Sequence, residues 1–159
     1  SKLNKLLIFI LPVFIVCLLI VNGEISARIY GAAEPRLLQY DAEIASPVGR
    51  VQAKAGSRGY LELKIKNNGL MAWASGQSNG IAVSYHILDK DGNVLLFDGE
   101  RTALTGSVAT GDQIIVNMGY VVPEIPGSYF LEIDMVHEGV TWFAEKGSKT
   151  LRVELEVTE

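Results

Sequence analysis

The sequence predicts a mainly β protein, an antiparallel β-sandwich of seven or eight short strands preceded by one N-terminal hydrophobic helix. Three observations carry this. Sixteen apolar residues run without interruption from Leu6 to Val21. After residue 40 the apolar residues recur with a period of two rather than 3.6. Turn residues then punctuate the chain about every ten positions, and 16 Gly and five Pro in 159 residues are many for a helical bundle and ordinary for a turn-rich β protein.

The N-terminal run reads LLIFILPVFIVCLLIV, with 18 uncharged residues between Lys5 and Glu24. At about 1.5 Å per residue, 18 residues make a helix of roughly 27 Å, enough to span a bilayer. Lys2 and Lys5 precede the run, which puts the N-terminus in the cytoplasm and the rest of the chain outside. Leu6, Ile10, Pro12, Phe14 and Leu18 are the residues expected to pack against lipid or partner helices, and membrane helices tolerate a proline such as Pro12. The expectation is a retained signal-anchor and a membrane-anchored head at the cell surface. The rival is a cleaved secretory signal, but the small residues Gly31-Ala32-Ala33 lie ten positions beyond the apolar run. Cys17 lies inside the run, where a membrane-buried apolar role suits it, and Val16 before it is too large for a lipidation site. A pilin-like subunit has the same layout of hydrophobic helix and globular head. Lys2 and Lys5 depart from the bacterial type IV pattern, which places Glu at position five.

Residues 24–40 read as a stalk that breaks near Gly31 and Pro35, and residues 41–159 as the outer domain. Val48–Ala53 is expected to be its first strand. Tyr60–Asn67 (YLELKIKN) puts Leu61, Leu63 and Ile65 on one face and Glu62, Lys64 and Lys66 on the other. Ile81–Leu88 and Asn93–Phe97 follow, joined by Asp89-Lys90-Asp91-Gly92, whose chemistry is that of a hairpin turn. Asp112–Val122 is the next strand. Gly127–Glu138 alternates Tyr129, Leu131, Ile133 and Met135 against Glu132 and Asp134. Thr141–Ala144 is short and aromatic. Thr150–Val157 closes the domain with Leu151, Val153, Leu155 and Val157 inward. Pro126-Gly127-Ser128-Tyr129 has the layout of a tyrosine corner.

Charge and cysteine content exclude several functions. The chain carries 14 Lys+Arg and 18 Asp+Glu, a net of −4, and from residue 29 onward 11 basic and 17 acidic residues, a net of −6. A nucleic-acid partner calls for a basic footprint that is missing. One cysteine makes no internal disulfide and no cysteine-based metal centre, and blue copper fails because Cys17 is in the hydrophobic run. His86 and His137 sit inside strand patterns without a third ligand at a defined spacing. Asp89, Asp91, Asn93 and Glu100 match part of a calcium loop, but a hairpin turn explains the segment better. Ser84, His86 and Asp89 lack the geometry of a triad, and no phosphate-loop, G-x-S-x-G or H-E-x-x-H motif occurs. No cofactor and no enzymatic activity are expected.

Several fragments together resemble a known module: Asn67-Asn68-Gly69 with Trp73, Ser84–Asp89, Asp91-Gly92-Asn93, Phe97-Asp98-Gly99 with Arg101-Thr102, Pro126–Tyr129 and Glu138–Phe143. Over about residues 58–157 they resemble the immunoglobulin-like β-sandwich modules of bacterial and archaeal surface and glycan-processing proteins. There such a module often trails a membrane enzyme as a non-catalytic accessory. The resemblance implies binding or assembly, with a glycan or an envelope protein as partner. Trp73, Tyr85, Trp142 and Phe143 are the candidate binding residues, Trp73 and Trp142 as exposed aromatics that stack on a sugar or a partner. The competing expectation is that both Trp cap the ends of the core. The alternative function is a structural subunit, a homo-oligomer or pilin-like filament or part of a larger membrane complex, with the N-terminal helix packed against protein.

Overall fold

The computed structural model describes residues 39–74 and 80–159. The expectations for the hydrophobic run, its packing residues and residues 24–38 of the stalk lie outside the described residues.

The domain is an immunoglobulin-like β-sandwich. Its strands are β1 (Ala42–Ala45), β2 (Arg50–Lys54), β3 (Arg58–Asn67), β4 (Ile81–Asp89), β5 (Val94–Leu96), β6 (Thr102–Ala103), β7 (Gln113–Val121), β8 (Gly127–His137), β9 (Thr141–Trp142) and β10 (Leu151–Thr158). A 3-10 turn, Ala144–Lys146, follows β9. One sheet has the order β1-β3-β7 and the other β2-β10-β8-β4-β5, with β6 paired to β4 and β9 to β8. Each of the eight segments in which the sequence predicts a strand forms one, and β1 and β6 are additional. Two features differ from the prediction. The segment expected as the first strand is the second, because the chain before Pro47 already pairs with β3, Ala42 opposite Asn67 and Ala45 opposite Lys64. And the sandwich is not wholly antiparallel: β2 crosses to the other sheet and runs parallel to β10, Val51 opposite Leu155. Tyr40, read as the last stalk residue, is buried in the core.

The core forms where the period of two predicts it. Leu61, Leu63 and Ile65 of β3 face Leu131, Ile133 and Met135 of β8 and Val153, Leu155 and Val157 of β10 across the sandwich, all buried. Burying each large aliphatic side chain of this kind is worth about 1.5–3 kcal/mol. Glu62, Lys64 and Lys66 face out. The β4–β5 hairpin closes as its residues suggest. Gly92 takes φ 86°, and the Asp89 carboxylate accepts hydrogen bonds from the Asp91 and Asn93 amides at 2.9 and 2.8 Å. Asp89 is thus a turn cap, and Glu100 pairs with Arg58 instead of completing a cation loop. Tyr129 donates to the Ile125 carbonyl at 2.9 Å, which completes the tyrosine corner at the start of β8. Asn67 is fully buried; its Nδ2 donates to the carbonyls of Met71 and Val108, and its Oδ1 accepts from Gly69 N–H.

β4 departs from the half-buried pattern, since eight of its nine residues are buried. Val83, Tyr85 and Ile87 belong to the core. Ala82, Ser84, His86 and Leu88 point to the other face of the sheet and are buried as well. Something must cover them there, and that cover is where the candidate site lies.

Candidate contact surface

Three of the four aromatics expected at a binding surface are core residues. Trp73 and Phe143 are fully buried and Tyr85 is buried to within 1%. Trp73 is pinned by paired backbone bonds with Val108, at 2.9 and 3.0 Å, which turn its loop inward. Its ring meets Phe143 edge-on at 5.7 Å, and Phe143 meets Tyr40 at 5.1 Å. Tyr85 points inward from β4, and its hydroxyl accepts the Val121 amide at 2.9 Å. Alternation placed Tyr85 correctly on a strand but did not say which face the opposite sheet would close over. Trp142 alone of the four stays partly exposed.

Two excursions of chain cover the outer face of β4 and β8. The first runs from β5 to β6 along the edge of β4, through residues 97–101. Val94 pairs with Leu88 and Leu96 with Ile87, leaving Leu95 as the extra residue. Gly99 N–H then donates to Tyr85 O at 3.0 Å, and Thr102 pairs with Val83. A Cβ at Gly99 would lie 2.4 Å from the Tyr85 carbonyl oxygen, so only glycine lets the segment after β5 approach this closely. The second excursion is a strap, residues 141–147, containing β9 and the 3-10 turn.

The polar residues buried on that face hold these two covers down. Ser84 Oγ donates to the carbonyls of Gly99 and Glu100, at 3.0 and 3.1 Å. His86 Nδ1 donates to the Phe97 carbonyl. Asp134, opposite Ser84 in register, accepts the Ala144 amide of the strap at 3.1 Å. Ser84, His86 and Asp89 are therefore engaged with the backbone and form no triad. His86 and His137 lie five register steps apart on the β4–β8 ladder, about 17 Å at roughly 3.4 Å per residue. His137 Nδ1 hydrogen-bonds the Tyr40 hydroxyl at 2.9 Å. Among the described residues, no group of three His, Cys, Asp or Glu side chains is placed to hold a metal ion.

The two covers meet at Trp142. His86 lies 4.5 Å from its ring, Phe97 meets it edge-on at 5.5 Å, and the Arg101 guanidinium sits 4.9 Å from its centroid. Arg101 is held in turn by Glu138, by Asp98 at 2.6 Å and by Ser84 Oγ at 3.1 Å. Burial works against its charge, but the bonds to Glu138 and Asp98 outweigh that and raise its pKa above the ordinary arginine value. The shallow cleft over this cluster has a volume of about 330 Å³. Trp142 lines it, with His86, Phe97 and Arg101 around its ring.

The surface beside this cluster is apolar. Four consecutive residues on the sheet edge, Val94, Leu95, Leu96 and Phe97, are 51, 58, 38 and 54% exposed. Ile125, in the β7–β8 turn, is 71% exposed. Leu95 and Leu96 share with Pro123, Ile125 and Tyr129 a groove of about 300 Å³. The sequence carries a signal for this strip: four apolar residues in a row directly after a hairpin turn cannot all face one side of a half-buried strand.

No protein-family model matches the sequence, and no curated protein matches it. Among solved structures the chain is similar to the CARDB domain of PF1109 from Pyrococcus furiosus. The crystal structure of that domain, in complex with di-metal ions, shares 14% identity at a TM-score of 0.43, over 74% of this chain and 86% of that one. Its solution NMR structure shares 14% at 0.41, over 74% and 93%. The C-terminal domain of wzt shares 15% at 0.41, over 75% and 71%. The immunoglobulin-like assignment of the present domain rests on its own strand order and its tyrosine corner.

Proposed function

We propose that the protein is a non-catalytic binding and assembly module, anchored to a membrane by Leu6–Val21 with the β-sandwich outside the cytoplasm. Its partner is another envelope protein, met through Val94–Phe97 and the groove beside Ile125. The observation that carries this reading is the run of four exposed apolar residues along a sheet edge, three on β5 and Phe97 just after it. A contiguous exposed apolar patch marks an interaction surface. A glycan contact through Trp142 has less support, since His86, Phe97 and Arg101 already pack around its ring.

The test is the size of the complex extracted from native membranes in mild detergent. Leu95→Asp with Ile125→Asp is expected to release the chain from that complex. Ile115→Asp, at a residue 65% exposed on the opposite sheet, is expected to leave it intact. An unchanged complex in the double variant, with the domain still folded, overturns the reading, and sugar binding by the same variant would move the function to the glycan class.

A further inference from the structure

The groove beside the β5 strip is apolar except at one position. Leu95, Leu96, Pro123, Ile125 and Tyr129 line it, and Glu124 is the one charged side chain among its described lining residues. Glu124 lies in the turn from β7 to β8 and is exposed. Its carboxylate rests over the backbone of Gly56 in the β2–β3 turn, where an added Cβ would come within 2.6 Å of Oε2. Among the described residues Glu124 forms no ion pair.

The cations that flank the strip are already engaged. Lys90, before β5, is paired with Asp91 at 2.8 Å. Arg101, after it, is paired with Asp98 at 2.6 Å and with Glu138. Arg58 is paired with Glu100. The strip is thus an apolar run bracketed by acids, Asp91 before Val94 and Asp98 directly after Phe97, with one unpaired carboxylate in the groove beside it.

In water the Glu124 carboxylate needs no partner. Once another surface covers the groove, it loses hydration, and a desolvated charge is strongly unfavourable unless an opposite charge replaces the water. We infer, on the basis of the contact surface proposed above, that the partner presents to this groove an apolar segment with a lysine or arginine side chain set against Glu124. A second copy of this chain does not meet that need. Strip against strip in a two-fold contact sets Asp91, Asp98 and Glu124 of one copy against the same acids of the other, and like charges in apposition oppose docking. The head as a whole, with 11 basic and 17 acidic residues from residue 29 onward, draws a basic surface toward it.

The test is the rate at which the full chain is released, on dilution, from the complex extracted from native membranes in mild detergent, followed by native electrophoresis. With a cation facing Glu124, Glu124→Gln is expected to speed release on the order of 10-fold and Glu124→Lys on the order of 100-fold or more. With no facing cation, Glu124→Gln removes an uncompensated charge, and release slows or stays the same; that result overturns the inference. Glu62→Lys makes the same change in net charge on the exposed face of β3 and is expected to leave release unchanged. An equal acceleration in that variant overturns the pairing with Glu124, and so does a complex whose mass is a whole multiple of this chain alone. Leu95→Asp with Ile125→Asp keeps the two readings apart. If that variant is still held, the contact surface itself is misplaced. If it is released while Glu124→Gln is held as tightly as the native chain, the surface stands and the facing cation does not.

Discussion

Two tyrosine hydroxyls of this domain do unlike work. Tyr85 is buried on β4, and its hydroxyl accepts the Val121 amide of β7, so one bond ties one sheet to the other. Tyr129 is more exposed and closes a turn by donating to Ile125 O. Removing the first leaves a part-buried amide between the sheets without its partner; removing the second leaves a carbonyl that water reaches. Tyr85→Phe is therefore expected to cost about 1–3 kcal/mol and Tyr129→Phe about 1 kcal/mol or less, by urea unfolding. Equal costs, or the reverse order, would mean that the inter-sheet bond does not contribute as described. Tyr129 was identifiable from its neighbours, because a tyrosine corner is a local pattern of Pro, Gly and Tyr. The role of Tyr85 was not, because its partner lies 36 residues away on the other sheet.

At the level of single elements, the sheet edge formed by β5 and the segment leading to β6 decides what happens to β4. It buries the outer face of β4, and it turns the run Val94–Phe97 into an exposed strip instead of a half-buried strand. Its geometry depends on Gly99, whose missing side chain admits the Tyr85 carbonyl. Gly99→Ala is expected to destabilise the domain by about 1–3 kcal/mol through overpacking. It should also shift the fluorescence of Trp142, since Arg101 and Phe97 move with that segment. A variant with native stability and an unshifted spectrum would show that the segment is not held against β4. The hairpin turn before β5 follows from Asp89-Lys90-Asp91-Gly92 by itself. The bulge at Leu95 does not, because a bulge is a misfit between two strands and one strand's sequence does not contain it. For the same reason Ser84, His86 and Asp134 look like ordinary outward residues in their strands. Only the chain folded over them makes them buried and gives each a backbone group to hold.

At the scale of the whole molecule, stability depends on what joins the two sheets at their edges. Ser148, buried just after the strap, accepts the Ala42 amide of β1 at 3.0 Å and returns a bond to the Ala42 carbonyl at 3.3 Å. It fastens the edge of the three-stranded sheet to the segment leading into β10, 106 residues on. Ser148→Ala strands the Ala42 amide and is expected to cost about 1–3 kcal/mol. The urea midpoint should fall with an unchanged slope, because the same surface is exposed on unfolding; a changed slope would mean that β1 had already detached in the native state. Spacing and turn chemistry along the chain are enough to give the β-sandwich and the inward residues of β3, β8 and β10, along with the hairpin turn and the tyrosine corner. All of these are set by spacing within one segment, where side-chain period and turn chemistry act locally. The tertiary structure alone decided that Trp73, Tyr85 and Phe143 are core, that β2 runs parallel to β10, and that Asp134 is a buried carboxylate under a strap. It also decided that Val94–Phe97 lies exposed along the sheet edge. Each of these depends on which distant segment closes over which face, and burial is a property of the pair of surfaces that meet.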